Sequence, residues 1–180
     1  MRGPRAGRFA ICLSLAGQAA WAAPTTSIRE ASSCTELSAS SPNWNITKAD
    51  SSDWPGGASG RVELFAVHIP TGTPLACDVE YQLNQTTGAI VGYDPALSHA
   101  CVNFGAAPLN TTVTLDMATL RLDLASVWTC EGDDTTYAAT GSVELQRDTS
   151  PGACLVEPTQ VGEATTCPIA NVLVEGKLAE

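Results

Sequence analysis

Aromatic residues are scarce in this 180-residue chain, at 6%, and histidine occurs only twice, as His68 and His99. Two histidines leave little material for a His-based metal centre or a Ser-His-Asp triad. Neither sits in a motif: residues 61–69 form an apolar-rich run, so His68 reads as a half-buried sheet residue, and His99, two residues before Cys101, reads as a loop residue. Missing too are the G-x-S-x-G nucleophile elbow, the H-E-x-x-H zinc helix, a Gly-rich phosphate loop and any C-x2-C knuckle. Basic residues number 9 against 19 acidic ones. So acidic a surface repels phosphate backbones and anionic lipid, which argues against nucleic acid as a partner. It serves solubility, or meets a basic partner. Beyond Ala23 no apolar run is long enough to span a bilayer.

What is present begins with an export pattern. Arg2, Arg5 and Arg8 precede an apolar run over residues 9–21, which ends in the small-residue triplet Ala20-Trp21-Ala22. That order is the one of a secretory signal peptide, residues 1–22, with cutting expected after Ala22. Cleavage removes Cys12 and three of the nine basic residues, leaving six against nineteen acidic ones and a net charge of −13. Six cysteines remain: Cys34, Cys77, Cys101, Cys130, Cys154 and Cys167. An even set in an exported chain reads as a disulfide framework in an oxidising compartment. A secreted, extracellular location follows. Three Asn-x-Thr sequons, at Asn45, Asn84 and Asn110, make those asparagines candidate glycosylation sites, two of them in turn-like stretches.

Residues 23–33 read as a flexible lead, within a Ser/Thr-rich stretch (25–41) tethered by Cys34, and 34–180 as one domain. Residues 50–60 are a loop by composition, because Pro55-Gly56-Gly57 disfavours both helix and ladder. Beyond it the apolar period is two. Leu75, Cys77, Val79, Tyr81 and Leu83 alternate with polar or small residues, as do Val113, Leu115 and Met117, then Leu120, Leu122 and Leu124, then Tyr137 to Leu145. The strand over 61–69 slips phase near Phe65, which predicts a bulge there. Residues 169–174 read as a closing strand. Turn clusters separate these runs, and no stretch of three helical turns carries a 3.6-residue stripe. The fold class is all-β: a single antiparallel β-barrel or β-sandwich.

Six cysteines allow fifteen connectivities, and the sequence does not choose among them. Pairing close neighbours, Cys77 with Cys101 and Cys154 with Cys167, leaves Cys34 with Cys130 and pins the N-terminal lead to the sheet. Asp78 and Glu80 lie two apart on one strand, about 6.5–7 Å along it, near the separation of an inverting glycosidase pair. Alternation puts both on the wet face with no aromatic residue beside them, which favours a solvated face. Glu131, Asp133 and Asp134 form an acidic turn without the D-x-D-x-D-G order of a calcium loop. Trp44 and Trp128 read as core, Trp128 against a disulfide. Trp54, in the Pro/Gly loop, is the candidate contact residue. No cofactor or metal is implied.

Taken together, Cys34, the segment Ser41-Pro42-Asn43-Trp44-Asn45-Ile46-Thr47, Cys77 on its strand, Cys101, the leucine run into Val127-Trp128-Thr129-Cys130, the strand over 137–145 and a final cysteine pair follow a recurring order. It resembles the small cysteine-rich secreted proteins of ascomycete fungi, related to the Alternaria major-allergen-like family. The resemblance runs from about Cys34 to Val174. It implies one β-barrel or sandwich held by intrachain disulfides, with Cys77–Cys101 and Cys154–Cys167 similar in spacing to the family's internal bonds. It also implies a role at the fungus–plant interface, as an allergen or effector-like protein that binds host defence proteins or small aromatic ligands. The additional Cys34–Cys130 pair leaves no odd cysteine for a disulfide-linked dimer, so a monomer is expected.

The leading expectation is therefore a secreted, non-catalytic binding protein acting on a host or cell-wall partner. Two rivals stand beside it: a hydrolase using carboxylates assembled only by the fold, and a carrier holding a small molecule inside the barrel.

Overall fold

The computed structural model describes residues 33–179. The expected signal peptide, Cys12 and the lead up to residue 32 lie outside the described residues. At the start of the described chain the loose lead is replaced by a helix, α1 (Cys34–Ser40). The Ser33 hydroxyl accepts from the Glu36 amide at 3.2 Å, and the Glu36 carboxylate accepts from the Ser33 amide at 3.0 Å. That reciprocal capping box, written Ser-x-x-Glu, satisfies two amide donors that a helix start otherwise leaves unpaired. Two turns carry no apolar stripe, so the helix is held by its contacts. Cys34 is bonded to Cys130, Thr35 donates to Asp133, and Ser38 is fully buried.

Strand β1 (Trp44–Trp54) runs straight through most of the expected loop. Only Pro55–Gly57 forms a single 3-10 turn before β2 (Ser59–His68), and the ladder closes at Trp54 opposite Ser59. Composition misled because this end of β1 is polar on both faces: Ser51 and Asp53 point inward, Ser52 outward. The irregularity expected at Phe65 lies on the partner strand. β2 alternates without a break, whereas β1 shifts register between Ile46 and Lys48, so Thr47 is the extra residue. β3 (Thr73–Leu83) pairs with the whole of β2 and completes a three-stranded meander.

Short strands then turn the corner: β4 (Ile90–Val91), β5 (His99–Ala100) and β6 (Val102–Asn103). His99 is thus a strand residue rather than a loop one. A second meander follows, β7 (Leu109–Asp116), β8 (Arg121–Thr129) and β9 (Thr136–Glu144). The hairpin β10 (Leu155–Thr159) and β11 (Gly162–Ile169) returns to β1, and β12 (Val172–Val174) and β13 (Gly176–Leu178) finish the chain. The single closing strand expected over 169–174 is thus two pieces, broken at residues 170–171. The break lies beside the β1 bulge: β11 pairs with residues 49–53 of β1 and β12 with residues 44–46.

All these pairings are antiparallel and form two sheets. One has the order β10-β11-β1-β2-β3-β4 with β12 and β6 attached, and the other is β13-β9-β8-β7-β5. Two of the changes between sheets pass through single residues, Cys101 between β5 and β6 and Glu175 between β12 and β13. The two curled sheets therefore form a half-barrel, an all-β antiparallel fold. Its three disulfides are Cys34–Cys130, Cys77–Cys101 and Cys154–Cys167. At the second crossing Gly141 and Gly176 face one another across the ladder, and a Cβ on either would meet the Trp44 ring at 2.9 Å. Glycine there makes room for the indole, whose Nε1 donates to Ser126 across the interior at 3.0 Å. The interior is filled by Trp44, Trp128, Ile46, Leu64, Leu75, Leu115, Leu122 and Leu124, all essentially solvent-free. At the C-terminus Ala179 donates its amide to Ala138 on β9. Among the described residues no helix is long and apolar enough to cross a membrane.

Candidate functional site

Because a ladder sets residues side by side, the outer face of the larger sheet can be read as rows across its strands, about 4.7–4.9 Å from one strand to the next. The first row is Lys48, Phe65 and Ala76, continued by Val102 of β6. Its Lys48 ammonium sits 5.6 Å from the centre of the Phe65 ring. The second is acidic: Asp50, Glu63 and Asp78. The third is Thr166, Ser52, Arg61 and Glu80, drawn from β11, β1, β2 and β3. The fourth is Trp54, Ser59 and Gln82.

The third and fourth rows floor a cleft of about 1030 Å³, walled by the β10–β11 turn at Thr159, Gln160 and Val161. Trp54 is fixed in this cleft. Its Nε1 donates to the Thr159 hydroxyl at 2.9 Å, and that hydroxyl donates on to the Gly162 carbonyl at 2.6 Å. The Trp54 ring lies over Gly57, where any Cβ would strike the indole, and a Cβ on Gly56 would run into the Val161 carbonyl. The Pro-Gly-Gly turn thus has to be glycine-rich, because it lets the turn pack under the indole and against the neighbouring hairpin. The side chain is half-buried rather than free in a loop, and it stands at the end of β1. Behind the cleft the Tyr81 hydroxyl donates to Asp53 at 2.6 Å, and Arg147 approaches the same carboxylate at 3.9 Å. Burial, and then the Asp53 carboxylate, push the Tyr81 phenol above its ordinary range, so it stays protonated as a donor.

Glu80 is the one carboxylate among the described cleft-lining residues, and Asp78 is exposed outside it. The expectation that no aromatic residue accompanies this pair is overturned: the ladder brings Trp54 to the row beside Glu80. Arg61 is already matched by Glu63 at 3.5 Å.

The other candidate residues fall elsewhere. His68 is fully buried rather than half-buried, and it lies between Trp44 and Trp128. His99 is partly buried at the far edge of the smaller sheet. Trp128 is core and donates to Ser38 at 2.8 Å, whose hydroxyl lies 3.6 Å from the Cys130 sulfur. Asp133 is occupied by the Thr135 amide and the Tyr137 and Thr35 hydroxyls. Among the described residues no group of three or more His, Cys, Asp or Glu is arranged to hold a metal ion. Asn45, Asn84 and Asn110 are all exposed. Only Asn84 lies in a turn, where it caps the Thr86 and Thr87 amides; Asn45 and Asn110 stand on strands. Compared with protein-family models, curated proteins and solved structures, this chain matches none.

Proposed function

We propose that this chain is an extracellular, non-catalytic binding protein whose partner docks on the outer face of the larger sheet at the Trp54 cleft. Three disulfides belong to an oxidising compartment, and the charged-apolar-small order of residues 1–22 supports export from the cell. The resemblance to the ascomycete cysteine-rich secreted proteins supports a partner on a host or at a cell wall. Glycans at Asn45, Asn84 and Asn110 fit the same route.

The observation that carries the reading is the fixed indole. A large aromatic side chain, pinned by a hydrogen bond and left open to a cleft, gives contact area at little entropic cost on binding. Binding is favoured over turnover because general acid–base cleavage of a glycoside asks for two carboxyl groups across the bond. Here Glu80 stands without a second carboxylate in the cleft. It is favoured over an interior carrier because the space between the sheets is already filled by side chains.

The oxidised chain, immobilised and exposed to extracellular extract of a host plant or to cell-wall material, should retain a partner at moderate salt. Trp54→Ala should weaken that retention roughly tenfold or more. Val127→Ser, an exposed position on the opposite sheet, should leave it unchanged. Equal retention by the Trp54 variant would end the assignment of the site.

A further inference from the structure

We infer that the Trp54 cleft takes a neutral, hydroxyl-rich sugar chain. This rests on the reading of the cleft as the binding site and names its ligand. The first argument is the pairing of surfaces. One wall is an indole whose π face carries partial negative charge, which suits the weakly positive C–H face of a pyranose ring. The floor is a set of short polar groups, Ser52, Ser59, Thr166, Gln82 and Glu80, held at ladder spacing. Hydroxyls, amides and a carboxylate at that spacing can both give and accept hydrogen bonds around one ring, as a sugar's hydroxyls require.

The second argument is charge. Arg61 is the one cation among the described lining residues, and Glu63 already neutralises it. Glu80 lines the cleft, and the Asp50-Glu63-Asp78 row lies directly beside it. A uronate, sulfate or phosphate group would approach the carboxylates of Glu80, Asp50 and Asp78, which no ion pair among the described residues matches, so anionic ligands are disfavoured. The third is the backbone. β1 and β2, which bring Ser52, Trp54, Ser59 and Arg61 to the floor, are central strands of the sheet with neighbours on both sides, so the middle of the floor offers a peptide no edge to extend as a strand. Size is the fourth: about 1030 Å³ lies at the top of the usual range for small-ligand sites, which suits several linked rings better than one.

Isothermal titration of the oxidised, full mature chain tests this with soluble oligomers of β-glucan, mannan and N-acetylglucosamine, with oligogalacturonate as the charged control. At least one neutral oligomer should bind, should bind more tightly than its monosaccharide, and should outcompete the uronate. Trp54→Ala should weaken it roughly tenfold or more, while Trp54→Phe, which keeps a π face, should retain most of it. Thermal melts confirm that each variant is folded. Failure of every neutral oligomer, preference for the uronate, or binding indifferent to Trp54→Ala overturns the inference. If partner retention still depends on Trp54 when no sugar binds, the ligand class is wrong and the site stands. If neither depends on Trp54, both fail.

Discussion

His68 occupies the centre of the aromatic core, its ring 4.5 Å from that of Trp128 and 5.8 Å from that of Trp44. Its Nδ1 meets the Thr71 hydroxyl at 2.9 Å, while Nε2 is buried with no partner. Burial without an anion lowers its pKa from 6.5 to about 4, so the folded protein holds it neutral. The unfolded chain takes up a proton below 6.5 and the folded chain does not until about 4. Stability therefore falls as pH drops through that window, by roughly 3 kcal/mol in all. Urea midpoints at pH 7 and pH 4.5 should show the decline, and His68→Leu should flatten it; an unchanged slope would contradict the assignment. A second loss follows at lower pH. The Ala118 amide at Asp116, and the hydroxyls and then the amides of Thr135 at Asp133 and of Ser150 at Asp148, hold these carboxyls below the ordinary 3.8. Their support is present above that value and disappears as they are protonated. The sequence marked His68 as a strand residue but could not show its neighbours, because Trp44 and Trp128 reach it from two other strands.

At the scale of elements, strands were legible wherever one face is apolar, as in β3, β7, β8 and β9. They were hidden where both faces are polar or exposed. The end of β1 beyond Ala49 is of that kind, and so is β10, all five of whose residues are exposed. The helix α1 was hidden for a different reason: its Ser-x-x-Glu signature is present, but seven residues bury only Ser38, so no periodic stripe announces it. The weakly held β10 matters for the cleft, because Thr159 at its end fixes Trp54. It is secured by its ladder to β11 and by Cys154–Cys167. Replacing both cysteines with serine should leave the chain folded yet speed amide exchange over residues 155–159 and weaken partner retention. Exchange mass spectrometry reads the first effect, and protection equal to the parent would show that the ladder alone suffices.

For the whole molecule, the longest covalent link is the decisive one. Cys34 and Cys130 are 96 residues apart, and by chain-entropy arguments such a closure contributes about 4–5 kcal/mol. That rivals the net stability of many domains, roughly 5–15 kcal/mol. A Cys34→Ser, Cys130→Ser double variant should lose most of its urea resistance, and a midpoint matching the parent's would refute the estimate. The cleft was the least legible feature of all. The sequence marks Trp54 as a contact residue and Glu80 as half of a carboxylate pair, but the two become neighbours only when Ser52, Arg61 and Glu80 fall into one register across three strands. One arrangement of the fold has a practical reach. The helix α1 is fastened at Cys130 and Asp133, and Ala179 is bonded to Ala138, so both described termini arrive near the same end of β9. A short linker could join them into a circular permutant reopened at an exposed hairpin tip. A surface tether attached just after Ala179 would sit on the smaller sheet's edge and leave the opposite sheet free for display.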